Sequence, residues 1–284
     1  MYDLYYVKKR RRRRIAAIVS LIASIGVASL IVTSFLGRTT GSFTIKVANN
    51  DVKLSLSDTS DFKNPTSYLR IDQLMPLQEQ QYGNIVNYVD YVDNEAFGYV
   101  NEYNIASEDA DGNPDSLFYL KYTFFVKNSG VSTAEYQFSI NFSDFTKSTD
   151  GSERTLDDTL RIMIYDTDIN SGIAHAEPKV YAKNSPYKHY DINGNDTNRE
   201  FISYIPKTFD KSEQENDTNR KLALSFGEKN PVISYSVPAF EPQAIRRYTV
   251  VIWLEGNDYE SKPGEEPPQE ASVRIGVNID AKKV

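Results

Sequence analysis

Cysteine is absent from the 284-residue chain, which removes disulfide staples, thiolate nucleophiles and cysteine-ligated metals together. Histidine is nearly as scarce, since His175 and His189 are the whole complement. No His-Glu-x-x-His pattern is present to set two ligands and a general base on one helical face. Zinc catalysis therefore lacks its ordinary ligand set. There is no Gly-x-Ser-x-Gly elbow, and carboxylate pairs such as Asp157-Asp158 are too ordinary in an acidic chain to nominate a glycosidase. Helical patterning is missing everywhere but in one stretch near the N-terminus.

That stretch follows an unbroken basic block, Lys8 to Arg14, and from Ile15 to Leu36 it carries no charge. At about 1.5 Å per residue the run spans roughly 33 Å, enough to cross a hydrocarbon core of about 30 Å. The basic excess before it places residues 1–14 in the cytoplasm, 15–36 in the membrane and, after a linker at 37–42, residues 43–284 outside. The expected location is the cell membrane, single pass, with the C-terminal part extracellular. A second reading stays open, in which the leader is a signal peptide and the rest is released to the exterior or its matrix. The run is longer than the usual apolar core of such peptides, while Gly26, Ala28 and Ser29 supply the small residues that cleavage needs.

Removing the eight basic residues at 8–14 and 38, and Asp3, leaves 24 basic and 38 acidic residues beyond the leader. A net charge near −14 argues against nucleic acid and anionic lipid surfaces as partners. Without disulfides, stability must come from a sizeable apolar core, to which 20 Tyr and 14 Phe contribute.

Period-two alternation dominates this exterior part. Phe43, Ile45 and Val47 alternate with polar neighbours, as do Val52, Leu54 and Leu56, and Asn49-Asn50-Asp51 between them reads as a hairpin turn. Residues 58–115 read as short strands in loops, broken at Asn64-Pro65 and Met75-Pro76. From Ser116 onward, Phe118, Leu120, Tyr122, Phe124 and Val126 form one continuous apolar side that predicts a core face. Asn128-Ser129-Gly130 then reads as a turn into Tyr136, Phe138, Ile140 and Phe142, a second expected hairpin. Leu160, Ile162 and Ile164 mark another strand, and residues 166–229 read as polar loops. Tyr248–Glu255 and Ala271–Asp280 are the last two strands, separated by a proline-rich loop with Pro263, Pro267 and Pro268. The expected fold class is all-β, an antiparallel two-sheet sandwich of jelly-roll or immunoglobulin-like type, with one N-terminal transmembrane helix.

The leader running into Gly41-Ser42-Phe43-Thr44-Ile45, the strands Leu54–Ser57, Tyr122–Gly130 and Leu160–Ile164, and above all Tyr248-Thr-Val-Val-Ile-Trp-Leu-Glu-Gly-Asn-Asp258 resemble the exported TasA/camelysin-like proteins of Gram-positive bacteria. Tyr259-Glu260-Ser261 stands where relatives carry a proline-acid-cysteine run, which marks a divergent member. The resemblance implies a jelly-roll or immunoglobulin-like fold and a structural role in the surface or biofilm matrix, with self-association or other matrix proteins as partners. It also implies removal of the leader by a signal peptidase.

One metal site is suggested by the residues themselves. Asp109, Asp111, Asn113 and Asp115 put oxygen side chains at alternate positions, as a wrapped calcium loop requires. Pro114 and Leu120 occupy the places where an EF-hand has its glycine and bidentate glutamate, so the pattern is not an EF-hand. Asp191 to Asp196 is a weaker version, and for both the competing reading is an ordinary Asx/Gly turn. No other cofactor is expected. Three functional readings follow: a non-enzymatic structural subunit acting through edge-strand contacts, a tethered binding module for carbohydrate or protein that presents loops 58–115 and 166–229, and, by resemblance alone, a metallopeptidase. Trp253 reads as sheet packing, with an aromatic ligand surface as the alternative.

Overall fold

The computed structural model describes residues 41–47, 53–71, 79–80, 102–108, 114–149, 154–171, 177–185, 189–190, 193–202, 221–255 and 271–283. The expected membrane helix, the turn at 49–51 and the proline-rich loop lie outside them. Strands β1 (Gly41–Val47), β2 (Leu54–Ser57), β3 (Tyr68–Ile71), β4 (Glu79–Gln80), β5 (Glu102–Glu108) and β6 (Pro114–Asn128) lead to β7 (Ala134–Thr146), β8 (Leu160–Asp168) and β9 (Lys179–Ala182). Five two-residue strands follow: β10 (His189–Tyr190), β11 (Asp196–Thr197), β12 (Phe201–Ile202), β13 (Lys221–Leu222) and β14 (Leu224–Ser225). The chain ends in β15 (Ile233–Phe240), β16 (Ile245–Glu255) and β17 (Ser272–Lys283). Among the described residues there is no α-helix, only two single 3-10 turns at Leu156–Asp158 and Ile169–Ser171.

The long strands form two sheets. Sheet I runs β15-β7-β17-β1-β3 and sheet II runs β14-β9-β8-β16-β6-β2, with β5 beside the first half of β6 and β4 beside the end of β16. Most neighbours are antiparallel, but β1 lies parallel to β17, β14 parallel to β9 and β4 parallel to β16. The all-β expectation and its two antiparallel-rich sheets are therefore met.

Register explains how the core assembles. Ile233, Ile140, Val277 and Phe43 follow one another across sheet I as successive partners, and Tyr235, Phe138, Ile279 and Ile45 form the next row. Rows of this kind need alternating apolar residues in every strand, which β7, β15 and β17 supply. Sheet II answers with Leu120, Tyr122, Phe124 and Val126 of β6 beside Ile252, Val250 and Tyr248 of β16. Ile233, Ile140, Val277, Phe138 and Ile279 of the first set and all of the second belong to one buried cluster, so the sheets face each other across a common core. Each large side chain fully buried there contributes about 1.5–3 kcal/mol.

Two expected hairpins are overturned. Phe43–Val47 and Leu54–Leu56 do not pair: β1 is in sheet I beside β17 and β3, whereas β2 is in sheet II beside β6. Likewise β6 and β7 belong to opposite sheets, and the chain between them crosses the sandwich. Alternation records which face of a strand is buried, not which neighbour takes its hydrogen bonds. Strands facing each other across a core carry the same pattern as strands side by side.

Asn128 shows what makes the second crossing possible. Its Nδ2 donates to the carbonyls of Ser132 (3.0 Å) and Phe240 (2.8 Å), and its Oδ1 accepts from the Gly130 N–H (3.0 Å). Its backbone also pairs with Gln243 and Ala244. One fully buried carboxamide thus ties the β6–β7 crossing to the β15–β16 crossing at the same end of the sandwich. Asn230 plays a milder part, its carboxamide accepting from the Phe142 N–H and donating to the Phe142 carbonyl, and so extending the ladder on β7.

Replacing Asn128 by Ala strands three backbone groups in a dry site, and the expected loss is about 2–4 kcal/mol in chemical unfolding. Asn230→Ala exposes its partner to water instead, and the expected loss is about 1 kcal/mol. Equal losses in the two variants would contradict this assignment.

Candidate functional site

The calcium reading cannot be followed into its loop. Asp109, Asp111 and Asn113 lie outside the described residues, and Asp115 falls in β6. Glu108 pairs with Pro114, so the ends of the loop are brought together by the β5–β6 ladder. In the weaker candidate, Asn193, Gly194 and Asn195 occupy the exposed connection between β10 and β11, and Gly194 has φ +80°. That backbone suits the turn reading, because glycine adopts it without steric cost. His175 is outside the described residues, and His189 pairs with Thr197. Among the described residues no group of three or more His, Asp or Glu could hold a metal ion.

The densest set of perturbed groups lies elsewhere, between the two sheets. Tyr136 of β7 and Tyr248 of β16 are both fully buried, and their hydroxyls are 2.7 Å apart, joining sheet I to sheet II. Nearby, Arg246 Nε donates to Asp166 Oδ1 at 2.8 Å. Register puts these groups together, since Tyr248 is the partner of both Phe124 and Asp166. Tyr235 of β15 stacks on Phe138, and the Lys179 ammonium stands 5.0 Å from the Tyr235 ring centre.

Burial is the main cause that holds the Tyr136, Tyr235 and Tyr248 hydroxyls above the ordinary tyrosine range, and the Asp166 charge reinforces it in all three. Tyr181 is raised by burial and by Asp166 as well. Burial pulls the Arg246 guanidinium down, but Asp166 and Tyr248 more than offset it, so its pKa rises. The phenols are therefore protonated and the Arg246 guanidinium is charged throughout the neutral range. Phenols held in their protonated form offer no activated nucleophile.

Sheet II has a second polar layer on its outer face. Arg161 of β8 is fully buried, with its guanidinium 3.8 Å from the Glu200 carboxylate and one nitrogen donating to the Leu160 carbonyl. Trp253 Nε1 donates to Glu255 Oε2 at 3.1 Å, and Thr123 and Thr249 share a hydrogen bond of 2.9 Å. Trp253 is wholly buried, which decides for packing over an exposed aromatic ligand surface. Tyr119, Met163, Tyr165, Val180, Val251 and Trp253 make a smaller apolar cluster here with Ala223. The segment expected to be polar loop thus contributes cover: Arg199 donates to the carbonyls of Leu222 and Ala223, beside the Arg161–Glu200 pair.

Sequence reasoning singled out neither Asp166, Arg246 nor Arg161, and read Asn128 only as a turn residue. The available signal was weak, namely a charged residue inside an otherwise apolar strand, as Arg161 is between Leu160 and Ile162. A scan against protein-family models and a search of curated proteins find no match to the chain.

The tyrosines predict an alkaline limit. Unfolded tyrosines ionise near pH 10, whereas the folded ones retain their protons, so the stability is whole below pH 10 and is lost as pH rises above it. The expected slope is about 1.4 kcal/mol per pH unit for each buried tyrosine. Unfolding free energies measured from pH 9 to 12 should show this slope, and Tyr248→Phe should reduce it by one proton.

Proposed function

We propose that the chain is a non-enzymatic structural subunit of a bacterial cell surface or extracellular matrix, built on a jelly-roll or immunoglobulin-like sandwich, and that it self-associates by passing β1 between copies. The chain is exported through residues 15–36, which tether it or are removed. The resemblance to TasA/camelysin-like proteins supports the setting, and the place of β1 supports the mechanism.

The observation that carries this reading is the pairing of β1. It sits between β17 and β3, parallel to β17 at the opposite end of the described chain, and Phe43, Ile45 and Val47 stand opposite the buried Val277, Ile279 and Ala281. None of these partners requires β1 to come from the same molecule. A copy of Gly41–Val47 from a neighbour can make the same ladder and occupy the same rows, so exchange costs little beyond association. Donor strand and acceptor edge are different surfaces, and a contact of that kind repeats head to tail into an open chain. The rest of the site supports a mechanical role, because its charges are paired and its phenols neutral.

The test compares a chain beginning at Thr39 with one beginning after Val47. The first should assemble with rising concentration. The second should stay monomeric in sedimentation and bind a synthetic Gly41–Val47 peptide with saturation. Assembly of the truncated chain equal to that of the longer one would sink the proposal, as would a peptide that fails to bind.

A further inference from the structure

Whether an asparagine persists in a protein depends on the residue after it, because that residue's amide nitrogen can attack the side-chain carboxamide. We propose that Asn193 is a self-modifying site, converting to aspartate and isoaspartate with water as the only co-reactant. Asn193-Gly194 is the single Asn-Gly pair in the sequence. Both residues are exposed in the β10–β11 connection, Gly194 stands at φ +80°, and a Cβ placed on it would meet no atom within 4 Å. The nucleophile thus carries no side chain to shield it, and solvent has free access.

The Gly194 nitrogen forms a bond to Asn193 Cγ as the Cγ–Nδ2 bond breaks. Ammonia leaves, taking up the proton that the Gly194 nitrogen gives up. Water then opens either carbon–nitrogen bond of the five-membered imide, yielding aspartate or isoaspartate. Hydroxide removes the amide proton, so the conversion quickens as pH rises. The product adds a carboxylate to a loop that already holds Asp191 and Asp196, and the isoaspartyl form lengthens the main chain between paired strands.

The same structure protects other asparagines. Asn128 precedes the small residue Ser129, but it is buried and its carboxamide is held by three hydrogen bonds. Asn184 precedes Ser185, a buried residue whose amide N–H, the would-be nucleophile, donates to the Asn198 carbonyl at 2.7 Å. Asn230 precedes Pro231, whose nitrogen carries no proton to release. Asn170-Ser171 is exposed and ranks after Asn193, because a side chain stands beside its nucleophile.

The experiment is to incubate the folded full chain at mildly alkaline pH and follow each asparagine by peptide mapping, with isoaspartate read by enzymatic methyl transfer. Asn193 should convert first, Asn128 and Asn230 should remain amides, and unfolding the chain should make Asn128 reactive. Asn193→Gln should lose the product, and Gly194→Ala should slow its appearance. An intact Asn193 when Asn170 or Asn184 has converted would overturn the proposal, as would Asn128 reacting as fast as Asn193 in the folded chain.

Discussion

A column of four aromatic rings sets the distance between the two sheets. Phe124 stacks on Tyr248 with centroids 5.3 Å apart, Tyr248 on Phe138 at 4.8 Å, and Phe138 on Tyr235 at 5.1 Å. The first two rings belong to sheet II and the last two to sheet I, so the column spans the core and each pair adds about 0.5–1.5 kcal/mol beyond its buried area. Two of these rings carry hydroxyls into a dry interior, where an unsatisfied phenol is costly. The Tyr136–Tyr248 hydrogen bond meets that need for Tyr248, while the buried Tyr235 hydroxyl makes no hydrogen bond among the described residues and stands near the Asp166 charge of the Arg246–Asp166 pair. The polar cluster between the sheets is therefore a consequence of building the core from tyrosine.

The outer face of sheet II imposes a second requirement. Tyr119, Met163, Val251 and Trp253 give it apolar character, and Arg161 and Lys121 bury charge on it. A face of that composition must be covered, and a buried guanidinium must meet a carboxylate. Glu200, carried by the long insertion between β9 and β14, meets it. The insertion reads as solvent-exposed loop in the sequence because its job is done by a few residues, Arg199, Glu200 and Ala223, that carry no periodic signature. In the layer between the sheets Arg246 meets Asp166, and on the outer face Arg161 meets Glu200.

The alternation in β6, β7, β8, β16 and β17 was legible because backbone pleating puts every second side chain on one face, and burial then demands apolar residues at that spacing. Ordered packing inside that face was not legible. Nothing in Asn128-Ser129-Gly130 distinguishes a hairpin turn from a crossing between sheets, since both need a chain reversal and tolerate the same residues. The difference lies in where the Asn128 carboxamide finds its acceptors, at Ser132 nearby and at Phe240, more than a hundred residues away. The calcium candidate Asp109–Asp115 was legible as a pattern of oxygens, yet a pattern does not state whether those oxygens converge.

By itself, the sequence determined the class of the part beyond residue 38, all-β with a tyrosine-rich core, and its acidic, cysteine-free chemistry, because composition and period-two burial are local properties. The adjacency of Asn193 and Gly194 is likewise local, whereas their exposure and the Gly194 backbone are set by the fold. Only the tertiary structure decided that β1 lies parallel to β17, that β6 and β7 face rather than pair with each other, and that Asp166, Arg246, Tyr136 and Tyr248 meet. Those outcomes depend on partners distant in the chain, and each strand's own pattern fits several partners equally well.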